Sequence, residues 1–338
     1  MKGKFKITVL GDGGWGTALA VVGARKHNDV LLWSAFPDYA EVLRQKRENV
    51  KFLPGVKLPE SIKITSDLKE ALSFGEIVVL AIPTQFLRVV LHKVREHDYK
   101  GKVFVSVAKG LEKKTCLRPS QIIYSILGNQ TQLVVISGPS HAEEVARHMP
   151  TLVVAASDNA KNAEKVQDAF MDTFFRIYSQ TDIIGVELGG ALKNVIAIAA
   201  GVCDGLKFGD NSKAGLISRG ILEMMRLGIR LGANPNTFYG LSGVGDLVTT
   251  CFSPHGRNLR VGRELGAGKK IADILKGMEM VAEGVDTAQS VHQLSRELDL
   301  DLPLMGEVYN LVFEDKEPKK AVSDLLNRDA REELKQYR

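Results

Sequence analysis

Phe5-Lys6-Ile7-Thr8-Val9-Leu10-Gly11-Asp12-Gly13-Gly14-Trp15-Gly16-Thr17-Ala18-Leu19-Ala20 is the stretch that decides the fold. A β-branched run closes on Gly11, a helical run opens at Thr17, and the turn between them reads G-x-G-x-x-G. Each glycine of that pattern has a physical task. Gly11 permits the tight turn, Gly13 lets a pyrophosphate approach the backbone, and Gly16 allows close helix–sheet packing. Gly14 and Trp15 complete the turn. A helix N-terminus placed there offers free N–H groups and a partial positive charge to an anion. By itself the pattern also fits a tight loop; its place between strand and helix points to dinucleotide binding.

Outward from the turn, the first half alternates short apolar runs with helical segments. Phe5–Leu10, Asp29–Trp33, Glu76–Ile82, Lys102–Val107, Gln132–Ser137, Thr151–Ala156 and Phe174–Tyr178 are expected strands. Unbroken runs such as Ile77-Val78-Val79-Leu80-Ala81-Ile82 suit strands covered on both faces. Helical stretches such as Thr17–Lys26 and Thr84–Arg95 supply crossovers, which is the βαβ pattern of a doubly wound sheet. After about Asp182 the texture changes. Leu188, Leu192, Val195, Ile196 and Ala199 share a helical face, and Leu216, Ile217, Gly220, Ile221, Met224 and Leu227 repeat the pattern. The expected architecture is an N-terminal α/β Rossmann domain over residues 1–181, mainly parallel, and an all-α domain over 182–338.

The bulk properties narrow the partners. A chain of 338 residues exceeds what one core organises, with 44% apolar and 25% charged residues. Lys and Arg number 45 against 40 Asp and Glu, a spread excess of +5 that suits an anionic small molecule and not a nucleic acid. Three distant cysteines, Cys116, Cys203 and Cys251, lack metal spacing and read as small buried hydrophobes in a reducing compartment. Seven histidines form no metal-binding pair, so no metal site is expected. Lys2, Lys4 and Lys6 before Ile7–Leu10 mimic a leader, but Gly11 and Asp12 interrupt it after four apolar residues. Val195 to Cys203 is too short an apolar run to span a bilayer. A cytoplasmic protein with no stable membrane association is expected.

One half of the dinucleotide fingerprint is missing. An acidic residue at the end of the second strand ordinarily holds the ribose hydroxyls. Here that end reads Trp33-Ser34-Ala35-Phe36, with no carboxylate to repel a 2′-phosphate and no arginine to grip one. NAD and NADP both stay open.

Further strings extend the reading along nearly the whole chain. Gly13–Ala20, Asn49-Val50-Lys51-Phe52-Leu53-Pro54, Ala108-Lys109-Gly110-Leu111-Glu112, Ile136-Ser137-Gly138-Pro139-Ser140, Gly189-Gly190-Ala191-Leu192-Lys193-Asn194-Val195, Gly243-Val244-Gly245-Asp246-Leu247 and Arg257-Asn258 occur in this order. In them the chain resembles the bacterial NAD(P)-dependent glycerol-3-phosphate dehydrogenase family. The resemblance implies a homodimer that reversibly reduces dihydroxyacetone phosphate to sn-glycerol 3-phosphate with NAD(P)H, feeding glycerophospholipid synthesis. Three departures are visible: Ser140 stands where many members have Thr, Gly256 where Ser is common, and Ala35 where some carry a basic or polar residue. Ser140 keeps a hydroxyl, whereas a contact at Gly256 has only backbone to use.

Hydride addition to a ketone leaves an alkoxide that needs a proton and nearby positive charge. The resemblance assigns that role to Lys193, as general acid in reduction and base in oxidation. A free lysine titrates near ~10.4, and burial or a second cation such as Lys109 would bring it toward the working range. Lys109 follows a strand at the ligand-binding mouth of the sheet and is expected to touch substrate and cofactor, although Lys-Gly there is also an ordinary turn. Gly138 and Ser140 are implied to touch substrate and Ala142 cofactor; without the resemblance, Gly-Pro-Ser reads as a turn and helix cap. Asp246 and Thr250 are one helical turn apart and share a face. Asp246 is expected to orient Lys193 and the substrate hydroxyl, or alternatively to cap a helix, and Thr250 to donate a hydrogen bond. Arg257 offers a planar fork to phosphate, with Asn258 and Gly256 beside it. Arg257, Val281 and Glu283 are implied as cofactor contacts. Two other readings stand beside this one: a related hydroxyacid dehydrogenase on the same architecture, and a non-catalytic NAD(H) sensor in which Lys193, Asp246 and Arg257 have no task.

Overall fold

The computed structural model describes residues 4–254, 256–278, 280–330 and 332–333; Lys2 of the basic N-terminal stretch lies outside them. The chain divides into two compact units, Met1–Lys109 with Leu117–Glu187, and Gly110–Cys116 with Leu188–Arg338.

The first half runs β1 (Lys6–Leu10), α1 (Gly14–Arg25), β2 (Asp29–Trp33), α2 (Pro37–Lys46), β3 (Ile62–Thr65), α3 (Leu68–Phe74), β4 (Ile77–Leu80), α4 (Thr84–Arg95), β5 (Val103–Ser106), α5 (Pro119–Leu127), β6 (Gln132–Ser137), α6 (Ala142–Ala146), β7 (Thr151–Ala156), α7 (Ala160–Phe170) and β8 (Phe175–Gln180). The eight strands form one sheet in the order β3-β2-β1-β4-β5-β6-β7-β8. All neighbours are parallel except β6 and β7, which run antiparallel with Ile136 opposite Ala155. The first six positions follow the doubly wound order, whose reversal point lies between β1 and β4. Alternate strand residues feed two cores. Ile7, Val9, Val30 and Val79 face one side with Leu19 and Val22 of α1. Leu10, Leu31, Val78 and Leu80 face the other with Leu87 and Leu91 of α4.

β3 is a strand that the sequence pattern does not announce. It has four residues, and its Lys63 is exposed, so no apolar run marks it. Pairing with β2 over Val30–Trp33 makes it a strand. The first helix also starts earlier than its composition suggests, at Gly14, because Gly13 provides the extended N-cap geometry.

From Ile183 onward the described residues contain helices and turns and no strand. They are α8 (Ile183–Gly205), α9 (Asp210–Arg230), a 3₁₀ turn at Pro235–Tyr239, a π turn at Leu241–Gly245, α10 (Asp246–Phe252), α11 (Arg257–Gly266), α12 (Ile271–Lys276), α13 (Glu283–Glu297), α14 (Pro303–Phe313) and α15 (Pro318–Leu326). α8 is long and apolar enough to cross a bilayer, yet 94% of its most apolar window is buried within the protein. A single cut after residue 181 leaves Gly110–Cys116 with the sheet; in the structure that segment belongs with the helices. It is held along α13, by Lys113 with Asp286 at 2.6 Å and by the Ser290 hydroxyl donating to the Glu112 carbonyl at 3.3 Å. Cys116, Cys203 and Cys251 are free and buried.

Candidate active site

In the first unit the glycine turn stands as its sequence suggests. Gly11 adopts φ +114°, and a Cβ there would overlap the Ala81 carbonyl. At Gly16 a Cβ would overlap the Gly11 carbonyl, and at Gly14 it would lie 2.6 Å from the Phe52 oxygen. Gly13 differs: a Cβ there would meet nothing within 4 Å. The turn is therefore closed beneath and open at the position where a phosphate approaches. α1 has no side-chain cap and no acidic residue in its first turn, which leaves its N-terminal N–H groups and dipole to an anion.

A buried asparagine builds this cradle. Asn49 donates to the Asp12 carbonyl and the Thr17 hydroxyl, both at 2.7 Å, while Tyr39 and the Phe52 N–H donate to its own oxygen at 2.7 and 3.0 Å. The loop 49–54 is thus stapled to the turn. Trp15 packs 6.3 Å from Phe175, and its buried indole N–H has no hydrogen-bond partner among the described residues. Unpaired polar atoms beside an open glycine are what a polar ligand would satisfy, so the residues fit a dinucleotide. Ala35, just past β2, is exposed.

Lys109 follows β5, and Gly138 and Ser140 follow β6, so the sheet itself brings them together. The Lys109 ammonium donates to the Gly138 carbonyl at 2.8 Å and the Ser140 hydroxyl at 3.0 Å. Ser140 in turn donates to the Gly138 carbonyl at 2.9 Å. Gly138 has φ +133° and presses against β7, where a Cβ would lie 3.0 Å from the Val153 Cα. Ala142 opens α6 with its Cβ 3.5 Å from where a Cβ on Gly14 would stand.

In the second unit a buried ion pair dominates. Lys193 on α8 and Asp246 at the start of α10 have side chains only 8% and 2% exposed, with Nζ 2.7 Å from the Asp246 Oδ1. Lys193 also donates to the Thr250 hydroxyl at 2.5 Å. Asp246 is therefore no helix cap; its carboxylate is turned to the lysine, and Gly245 precedes the helix without a side-chain cap. Thr250 sits one turn later and directs its hydroxyl to the Asp246 carbonyl at 2.7 Å. Its one proton thus goes to its own helix, and the hydroxyl faces Lys193 as an acceptor. Burial disfavours each charge alone, and the short contact offsets that cost for both. The two side chains face each other in a dry setting. Cys251, next along α10, is pushed up to about 12 by burial and is no nucleophile.

The next helix presents the remaining residues. Gly256 is the buried N-cap of α11, where a Cβ would come within 3.3 Å of the Thr250 carbonyl. Arg257 follows, exposed, with one guanidinium nitrogen donating to the Val281 carbonyl at 3.0 Å. Val281 thereby joins Arg257, and Glu283 stands at the first position of α13. Asn258 donates to the Asn194 side chain at 3.0 Å and accepts from the Gly284 N–H at 3.0 Å. Asn194, beside Lys193 in the Gly189–Val195 string, links α8 to α11. Neither it nor Asn49 carries a periodic signal, because a lone polar residue becomes informative only once burial demands partners. No group of three or more His, Cys, Asp or Glu among the described residues is arranged to hold a metal ion.

Comparison with known proteins comes from three sides. Residues 6–163 match the family model for the NAD-dependent glycerol-3-phosphate dehydrogenase N-terminus, and residues 182–323 match the one for its C-terminus. The chain is 48% identical to the glycerol-3-phosphate dehydrogenase [NAD(P)+] of Chlorobium phaeobacteroides, over 97% of this chain and 99% of that one. It is also 48% identical to the enzyme of that name from Bacillus pumilus, over 96% of this chain and 94% of that one. The crystal structure of glycerol-3-phosphate dehydrogenase from Coxiella burnetii superposes with a TM-score of 0.93 at 37% identity, covering 96% of this chain and 99% of that one.

Proposed function

We propose, given that the chain belongs to the NAD-dependent glycerol-3-phosphate dehydrogenase family, that it reversibly reduces dihydroxyacetone phosphate to sn-glycerol 3-phosphate. The observation that carries the mechanism is the Lys193–Asp246 pair, an ammonium 8% exposed against a carboxylate at 2.7 Å. NAD(P)H, when bound, supplies the hydride. Gly11, Gly13, Gly14, Trp15 and Gly16 would hold its pyrophosphate region, and Ala142, Arg257, Val281 and Glu283 would make further contacts, with Ala35 beside the ribose. In this reading Lys193 Nζ gives its proton to the ketone oxygen as the alcohol forms, and takes it back in oxidation. Asp246 keeps that nitrogen protonated and aimed; Thr250, as an acceptor, fixes a second N–H direction. The net change is one ketone reduced, one reduced cofactor oxidised and one proton consumed. Lys109, Gly138 and Ser140 bind the substrate's polar oxygens. Arg257, Asn258 and the uncapped start of α11 at Gly256 receive its phosphate.

Around this core stand the wider expectations: a cytoplasmic homodimer serving glycerophospholipid synthesis, needing no metal, nucleic acid or stable membrane association. The decisive experiment mixes purified protein with dihydroxyacetone phosphate and reduced cofactor and follows cofactor absorbance. Rapid oxidation supports the reading. Lys193→Ala should lower turnover by roughly 10²–10⁴ while cofactor affinity stays near that of the parent. Near-normal turnover in that variant would remove Lys193 from the proton step.

A further inference from the structure

The carboxylate missing from the end of β2 has a counterpart in the glycine turn. In a doubly wound sheet the end of the second strand is where the adenosine ribose is read. Here Ser34, Ala35 and Phe36 follow β2, and the Ser34 hydroxyl is folded back on its own chain, 3.2 Å from the Phe36 N–H. The Gly11 N–H donates to the Trp33 carbonyl at 3.1 Å, so the glycine turn is tied to that strand end. Asp12 is the next residue, and its carboxyl lies against the Ser34 side chain.

Three features set Asp12 apart. Its residue surface is only 7% exposed. Its Oδ2 has no hydrogen-bond partner among the described residues, and an acceptor withdrawn from water without a donor is costly. Its backbone carbonyl is held separately, by Asn49 and by the Thr17 hydroxyl at 3.3 Å. The carboxyl itself is met in part by the Ser34 side chain and by its own N–H, and the oxygen left without a donor is Oδ2. Burial pushes its pKa up, while hydrogen bonds from the Ser34 side chain and its own N–H, and then Lys51, an exposed residue of the covering loop, pull the other way.

We propose that Asp12 is the cofactor-selecting residue of this chain: its carboxylate, delivered from the glycine turn instead of from β2, accepts a ribose hydroxyl and rejects a 2′-phosphate, so the protein favours NAD(H) over NADP(H). A ribose hydroxyl brings the donor that Oδ2 lacks. A 2′-phosphate brings none when ionised and sets like charges together in a poorly screened place. The exposed Ala35 and Phe36 offer it no cation in return. This inference rests on the NAD(P)-dependent reading above.

The test is binding, read apart from turnover. Dissociation constants for NADH and NADPH are measured by calorimetry on the full chain, for wild type, Asp12→Asn, Asp12→Ala and Lys51→Gln. The wild type should bind NADH at least about tenfold more tightly than NADPH. Both Asp12 variants should tighten NADPH by about tenfold while weakening NADH, and Lys51→Gln should leave the preference for NADH in place. Equal affinities in the wild type, or Asp12 variants that shift both cofactors in parallel, would overturn the assignment. So would NADPH binding that depends on Lys51 and ignores Asp12. If only one Asp12 variant melts like the wild type, that variant decides. Failure of the enzymatic reading shows itself differently, as intact NADH binding without oxidation on adding dihydroxyacetone phosphate.

Discussion

Replacing Asp246 by leucine tests the buried pair directly. The substitution keeps roughly the side-chain size but takes the carboxylate from 2.7 Å beside an ammonium only 8% exposed. Breaking a buried pair from one side costs about 3–5 kcal/mol, chiefly because the surviving charge stays desolvated. Lys193→Met should cost a similar amount for the mirror reason, stranding a carboxylate 2% exposed. The double variant, Lys193→Met with Asp246→Leu, strands neither, and should return to within about 1 kcal/mol of wild type. Urea unfolding followed by far-UV ellipticity reads this. With a slope of about 2 kcal/mol/M, each single variant should lose roughly 2 M of midpoint and the double variant little. Both tryptophans, Trp15 and Trp33, belong to the first unit, so their fluorescence reports that unit alongside. The double variant should be stable and inactive, which separates the chemistry from the fold. Single variants within about 1 kcal/mol of wild type, or a double variant that loses the sum of both, would refute the reasoning.

Three further outcomes are expected. Arg257→Ala should raise KM for dihydroxyacetone phosphate by about 10- to 100-fold, the value of a charged hydrogen bond, with a smaller change in kcat; steady-state kinetics checks it, and the exposed side chain gives no reason for lost stability. Gly262→Ala places a Cβ into the Ile198 carbonyl and 2.8 Å from the Gly201 Cα, so it should destabilise by about 3 kcal/mol or more, seen as a lowered Tm. Glu223 is buried and caps α14 by accepting the Leu304 and Met305 N–H groups at 2.8 and 2.9 Å; burial raises it from 4.5 to about 7. The folded state then binds this proton more tightly than the unfolded chain, so stability is fullest below pH 4.5 and falls as pH climbs to 7. That contribution is about 3 kcal/mol, and Glu223→Gln should flatten this part of the stability–pH curve measured by denaturant unfolding.

The parts of the fold legible in sequence are those written by local rules. Ile77–Ile82 reads as a doubly covered strand because every residue is apolar, and Gly11–Gly16 reads as a turn because Gly11 and Gly16 leave no room for a side chain. β3 escapes the same reading, since a strand of four residues with an exposed Lys63 gains its identity from β2 beside it. Gly110–Cys116 escapes because its ties to α13 join residues about 180 apart in sequence, such as Glu112 and Ser290. For the site, spacing placed Asp246 and Thr250 on one face, but which way the Thr250 proton points depends on a carbonyl of its own helix. In sequence Asp12 is only an x of the G-x-G-x-x-G pattern. Its burial and missing partner belong to the fold alone.

The α8–α11 crossing explains why the second unit's residues hold their places. Asn194 joins Asn258 at 3.0 Å. Farther along, Gly201 and Gly205 of α8 meet Gly262 and Gly266 of α11 so closely that a Cβ at any of the four would overlap or crowd main-chain atoms. At the far end Asp204 accepts from Arg263 at 2.9 Å and pairs with Lys213 of α9. Two helices in main-chain contact cannot slide as side chains rearrange, because no rotamer change creates room between backbones. Lys193 precedes Asn194, and Arg257 precedes Asn258. The spacing between the residue proposed to move the proton and the one proposed to hold the phosphate is therefore set by the crossing itself. A perturbation of the crossing should then depress kcat and raise KM together, whereas loss of Arg257 falls mainly on KM and loss of Lys193 on kcat.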